Sequence, residues 1–182
     1  MLIRRGFHYR IYPTPEQETR LRCWEGALRA LWNLANEQRH IYLQRHARMP
    51  TAFDQINQLT ELRADVSWLA DVPRNACAQV LVDLDLAWQR CFSGLGRRPR
   101  WKKKGRDTVA ITEPHPKTFR LTAAGVVFPK LGEIPTRFHR PILGTPRRCT
   151  ISREADQWFV SILCEETVAD PDPRPGPVVA ID

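Results

Sequence analysis

The sequence predicts an α+β fold: a small β-barrel interrupted by an inserted helical bundle, then the first strand of a further domain. Three observations carry that expectation. A lone alternating strand precedes every helix, and the hydrophobic period shortens from three or four residues to two beyond Arg106. A proline-rich stretch then separates these strands from one more β-branched run. A first strand with no neighbour in sequence must pair with later ones, so the helices read as an insertion. The division that follows is 1–12 with 113–168 for the barrel and 13–112 for the helices with a basic tract. Residues 169–182 hold the linker and the new strand.

Residues 3–12 alternate, with Phe7, Tyr9 and Ile11 on one side and His8, Arg10 and Tyr12 on the other. That is a strand with one buried face, and Pro13 ends it. Thr14-Pro15-Glu16-Gln17 starts a helix: Thr14 caps, Pro15 suits the first helical position, and Gln17 completes a capping box. Leu21, Trp24, Leu28, Leu31, Ala35, Gln38 and Tyr42 then recur at helical spacing to about residues 48–50. A second helix covers about 53–64, with Phe53, Ile56, Leu59 and Leu62 on one face; Trp68 and Leu69 should plug the bundle in the next turn. Asp71-Val72-Pro73 opens a third helix, with Cys77, Val80, Leu81, Leu84, Trp88, Cys91 and Phe92 as its apolar face. Gly94 and Gly96 end it. Further on, 119–121 and 126–128 form a hairpin around Ala124-Gly125, and 135–138 is another strand. Residues 148–153 pair with 158–165 around Glu154-Ala155-Asp156. Residues 171–177 (Pro-Asp-Pro-Arg-Pro-Gly-Pro) cannot join a ladder and read as a stiff linker. Residues 178–181 read as a buried strand that exits on Asp182.

A net charge of +8 and a pI near 9.7 point to a polyanionic partner. Arg outnumbers Lys 23 to 5, which suits forked contacts to phosphate and equally fits a bias in genomic base composition. No apolar run reaches the length of a membrane span and Met-Leu-Ile-Arg-Arg opens no signal peptide, so a soluble cytoplasmic protein without membrane contact is expected. Cys23, Cys77, Cys91, Cys149 and Cys164 are odd in number and widely spaced, as reduced core thiols would be. His8, His40, His46, His115 and His139 show no ligand spacing, and no nucleophilic triad or phosphate-binding glycine loop is present.

The strongest chemical signal is the run at 97–106. Seven of its ten residues are basic and none is acidic: Arg97, Arg98, Arg100, Lys102, Lys103, Lys104 and Arg106. Cations at this density repel one another unless an anion neutralises them, and a nucleic-acid backbone carries phosphates at a matching density; a solvated charged loop or a localisation run is the alternative. Trp101 sits among them and could stack on a base or rest on the barrel. Arg29 belongs to a set of arginines on the first helix, several of them off its apolar stripe. Arg74 and Asn75 open the third helix with Gln79 one turn on; such side chains read base edges, and also simply cap helices.

These pieces resemble, in order, the TnpB (OrfB) family of transposon-encoded proteins. Residues 7–17 resemble the family's opening strand and helix start, and Gly26-Ala-Leu-Arg-Ala-Leu-Trp-Asn its Gly-x-x-Arg-x-x-(aromatic)-Asn motif. Leu59-Thr-Glu-Leu, Trp68-Leu-Ala-Asp-Val-Pro and Leu84-Asp-Leu-Ala-Trp-Gln-Arg-Cys-Phe resemble its helical part. Arg98-Pro-Arg-Trp-Lys-Lys-Lys-Gly-Arg resembles its Phe-Pro-Arg-Phe-Lys-Lys signature, with Arg98 in place of an aromatic. Pro129-Lys-Leu-Gly, Thr150-Ile-Ser-Arg-Glu-Ala-Asp, Trp158-Phe-Val-Ser-Ile-Leu and Val179-Ala-Ile-Asp complete the series. The resemblance implies a wedge β-barrel, an inserted recognition domain and the first strand of an RNase H-like (RuvC) domain. It implies an RNA-guided DNA endonuclease of a prokaryotic, nucleoid-associated kind, with guide RNA from the transposon end and double-stranded target DNA as partners. Asp182 would be the first of three acidic ligands to Mg²⁺. One carboxylate cannot hold two metal ions, so the chain alone is expected to bind and not to cut. A non-cleaving RNA-guided regulator and a simple helix-turn-helix DNA-binding module are the alternatives.

Overall fold

The computed structural model describes residues 1–46 and 48–169. Strand β1 (Leu2–Ile11) leads into helix α1 (Pro15–Gln44), followed by α2 (Ala52–Asp65), the short α3 (Ser67–Asp71) and α4 (Arg74–Phe92). The strands β2 (Ile111–Glu113), β3 (Arg120–Leu121), β4 (Gly125–Phe128), β5 (Gly132–Pro135), β6 (Thr145–Glu154) and β7 (Gln157–Thr167) come after the helices. The linker at 171–177, the run at 178–181 and Asp182 lie outside the described residues.

The first strand finds its partner at the far end of the described chain. β1 runs antiparallel to β7, from Leu2 opposite Thr167 to Ile11 opposite Trp158. The four-stranded sheet has the order β1-β7-β6-β2, and β3-β4-β5 form a second antiparallel sheet. Among the described residues a single bridge, Ile11 opposite Thr136, links the two, flanked by Tyr12 N–H to the Pro135 carbonyl (2.8 Å) and Arg137 N–H to the Arg10 carbonyl (3.1 Å). The fold is thus α+β with antiparallel sheets, but the described strands do not close into the expected barrel. Edge strand β2 is three residues long and is followed by Pro114 and Pro116, which have no N–H to extend a ladder.

The inward side of the large sheet is the alternation seen in the sequence. Phe7, Tyr9 and Ile11 are buried against Ile111, Cys149, Ile151, Val160, Ile162 and Cys164. The β6–β7 hairpin turns through Ala155 and Asp156, both with positive φ (45° and 64°), the two-residue geometry that matches strand twist. Gly125 is required at the β4–β5 contact, where a Cβ would lie 2.1 Å from the Ile134 carbonyl oxygen.

In the helical part, Thr14 and Gln17 form the expected capping box, and Gln17 Nε2 also donates to the Leu131 and Glu133 carbonyls (3.0 and 2.9 Å). That one side chain starts α1 and ties it to β5. Asp71 joins α3 to α1 by accepting from Trp24 Nε1 (2.6 Å) and pairing with Arg20. The pairing holds the Asp71 carboxyl at about 2, chiefly through the Arg20 hydrogen bonds. Several expectations need correction. α1 ends at Gln44, and Ile41 and Tyr42 near its end are exposed. Of the expected plug, Leu69 is buried and Trp68 is exposed. Phe92 and Cys23 are also exposed, so neither belongs to the core. β2 and most of β5 carry too few residues for a period to declare itself. Among the described residues no helix is long and apolar enough to cross a membrane.

Candidate nucleic-acid interface

The basic tract has no regular secondary structure apart from a turn, yet its backbone is held at several points by one face of α1. Trp32 Nε1 donates to the Arg100 carbonyl (3.1 Å). Asn33 pairs with Lys102 in both directions, donating from Nδ2 to the carbonyl (3.0 Å) and accepting the N–H on Oδ1 (2.8 Å). Asn36 is buried; its Nδ2 donates to the Pro99 carbonyl (3.2 Å) while Trp88 Nε1 donates to its Oδ1 (3.0 Å). Arg29 Nη1 reaches the Asp107 carbonyl at 3.5 Å. Positions 29, 32, 33 and 36 lie on one helix face. The Arg, Trp and Asn of the Gly26–Asn33 motif are therefore a clamp for the tract, a role that its spacing alone did not disclose.

Asp107 closes the loop from its other end. Its carboxylate accepts the Lys103 N–H (2.8 Å) and side-chain bonds from Arg106 (2.9 and 3.0 Å) and Arg100 (3.1 Å). The Lys103 N–H, then the Arg106 guanidinium, hold its carboxyl at about 2. A depressed carboxyl contributes order above its ordinary range near 4 and loses it as pH falls through the folded value. The tract is therefore expected to loosen between about pH 4 and pH 2. Asp107→Asn should reproduce this at neutral pH, with faster amide exchange at Lys103 and unchanged helix content. An Asp107 titration midpoint near 4 by NMR would refute the clamp.

The seven cations divide by partner. Arg100 and Arg106 pair with Asp107. Lys102 lies half-buried with Nζ 4.6 Å from the centre of the Trp32 ring, and burial lowers its pKa. The side chains of Arg97, Arg98, Lys103 and Lys104 are exposed and have no ion-pair or hydrogen-bond partner among the described residues. Trp101 rests on His40 of α1, not on the sheets. Beside the tract, Lys104, Arg22, Arg29 and Arg153 line an open cleft of about 460 Å³ around the buried Glu25, which pairs with Arg153 (3.2 Å) and Arg29 (3.8 Å).

The start of α4 is built differently from its sequence reading. Pro73 occupies the N-cap position without a side-chain bond, and Asn75 does not cap. Asn75 Nδ2 donates instead to Glu113 Oε2 (2.9 Å), which also accepts from Thr118 Oγ1 (2.8 Å). Glu113 is fully buried, so Asn75 is committed to joining α4 to β2. Gln79 bonds Asp83 on the same helix (2.8 Å). Arg74 is exposed at the rim of a cleft shared with Lys130, and of these three it alone has no partner among the described residues. No group of three or more His, Cys, Asp or Glu among the described residues could hold a metal ion.

A family model described as a helix-turn-helix domain, from the OrfB proteins of IS605, matches residues 1–47. A Streptomyces pristinaespiralis protein named "Putative RNA-guided DNA endonuclease" is 31% identical over 188 residues, covering 99% of this chain and 46% of the relative. Along nearly its whole length the chain is thus similar to proteins of the TnpB (OrfB) family. A second relative, "Putative RNA-guided DNA endonuclease InsQ" of Escherichia coli K12, is 27% identical over 184 residues, covering 97% of this chain and 44% of the relative. The chain spans about half the length of the curated relatives it matches. Across residues 1–46 of the helix-turn-helix match, the structure holds β1 and the single continuous helix α1.

Proposed function

We propose that this chain is the nucleic-acid-binding portion of a TnpB-type RNA-guided DNA endonuclease, gripping guide RNA from the transposon end and double-stranded target DNA. The carrying observation is that the tract's backbone is fixed while four of its cations point to solvent unpaired. Such a loop is pre-organised for phosphate and loses little freedom on binding. The two sheets would form the wedge, from residues 1–12 and 113–168, and residues 13–112 the recognition insertion. The segment 169–182 would open the RuvC domain, with Asp182 as one of its Mg²⁺ ligands. Arg74 is the best placed side chain for a base contact next to the target, since Asn75 and Gln79 are engaged within the protein. Binding by this part of the chain draws on no metal. A non-cleaving regulator of the same architecture would bind in the same way.

Replacing Arg97, Arg98, Lys103 and Lys104 together by Ala should weaken binding to every sequence alike. The slope of log affinity against log salt should flatten by about 0.7 per lost single-strand phosphate contact. Lys102→Ala should change the slope less, because that ammonium already sits on Trp32. An unchanged slope in the fourfold variant would mean that the tract is only a solvated loop.

A further inference from the structure

We infer that Trp101 is a stacking platform for unpaired nucleobases, so that this face prefers single-stranded nucleic acid to duplex. The inference rests on the nucleic-acid reading above and adds the chemical class that the tract takes hold of. Trp101 is 45% exposed although one face of its indole is occupied. That face stacks on His40, with ring centres 4.6 Å apart and planes 19° from parallel. His40 in turn meets the edge of Trp88 at 5.0 Å and 68°, and Trp88 is buried in the helical core. The aromatic chain therefore runs from the core outward and ends on an open indole face. Phe92, 62% exposed and 5.5 Å from Trp88, ends the other branch.

Two features separate this ring from an incidental surface tryptophan. Its neighbours on both sides are fixed, Arg100 by Trp32 and Lys102 by Asn33, so the indole is held in place before any ligand arrives. It also lies in a tract with Arg97, Arg98, Lys103 and Lys104 unpaired, which suits a base that arrives with its phosphates and disfavours an apolar protein partner. Bases in a duplex are already stacked on one another and offer no free face to a lone ring. An unpaired base does, and the sugar-bearing strand can be RNA or DNA.

The test measures affinities of the full chain and its Trp101→Ala and Trp101→Phe variants for four probes. These are an unstructured RNA of about a dozen nucleotides, the DNA of the same sequence, its duplex, and an abasic strand with the same number of phosphates. Trp101→Ala should weaken binding to the RNA, the DNA or both by roughly five- to hundredfold. Trp101→Phe should recover most of the loss, and the duplex, the abasic strand and the salt slope should be unaffected. The strand that loses more identifies the source of the base. An equal loss on all four probes, or none on either single strand, overturns the inference while leaving the tract as a phosphate site. Failure of the unaltered chain to bind any probe overturns both readings.

Discussion

Arg39→Ala is expected to cost about 3–5 kcal/mol, the range for removing one partner of a buried ion pair. The Arg39 side chain is 2% exposed; its Nη1 lies 2.8 Å from Asp85 Oδ1 and its Nε donates to Gln55 Oε1 at 2.9 Å. Gln55 passes the contact on, donating to the Ala35 carbonyl (3.0 Å) and to Gln38 Oε1 (2.8 Å). Asp85 also accepts the Ala52 N–H at the start of α2 (3.1 Å) and Gln89 Nε2 (2.6 Å). One guanidinium thus joins α1, α2 and α4. Its removal leaves a largely buried carboxylate without a cation, an unpaired amide oxygen and a side-chain-sized void. Water reaches Asp85 in part, which favours the lower end of the range. The Arg39→Ala, Asp85→Ala double variant should cost less than the sum of the singles, because the two groups share one interaction. Urea unfolding followed by helical circular dichroism checks both statements. A loss below about 1 kcal/mol for Arg39→Ala would mean that the pair is solvated and does not key the bundle.

Deleting residues 1–12 should unfold the sheets while sparing part of the helical signal. β1 buries Phe7, Tyr9 and Ile11, and burying such a side chain is worth about 1.5–3 kcal/mol each. The sum rivals the whole stability of a small domain, about 5–15 kcal/mol. The deletion also strips β7 of its partner along ten paired positions and removes the bridge that, among the described residues, links the two sheets. The helices keep their own core of Leu28, Leu31, Leu59, Leu81, Leu84 and Trp88. Hydrogen exchange should show lost protection in β6 and β7 with residual protection in α1 and α4. Retained protection in β6 and β7 would make the first strand dispensable and refute its place in the sheet.

Where a residue's role depends on its near neighbours, the sequence alone sufficed. The alternation of Phe7, Tyr9 and Ile11 marks a buried face because strand side chains alternate whatever the partner. Thr14 and Gln17 mark a helix start because a capping box closes within four residues. The basic tract is legible as a candidate anion site, because seven like charges within ten residues repel before any fold is considered. The family resemblance rests on the same short segments in order.

What only the tertiary structure decided is which of those residues are already engaged. Arg, Lys, Asn and Gln look equally available in a sequence, and their availability depends on groups far along the chain. Lys102 is covered by Trp32, Asn75 is taken by Glu113, and Arg100 and Arg106 by Asp107, whereas Arg97, Arg98, Lys103 and Lys104 stay open. Trp32, Asn33 and Asn36 carry no charge and follow no catalytic spacing, so their grip on a loop more than sixty residues away could not be read beforehand. Closure of the strands was likewise not legible: a period of two states that a strand has a buried face, but not which strands lie side by side, and among the described residues β1 and β2 remain the two edges of the larger sheet. Local chemistry is written in the order of residues, and pairing across the chain is settled by which buried polar groups must find partners when the core closes.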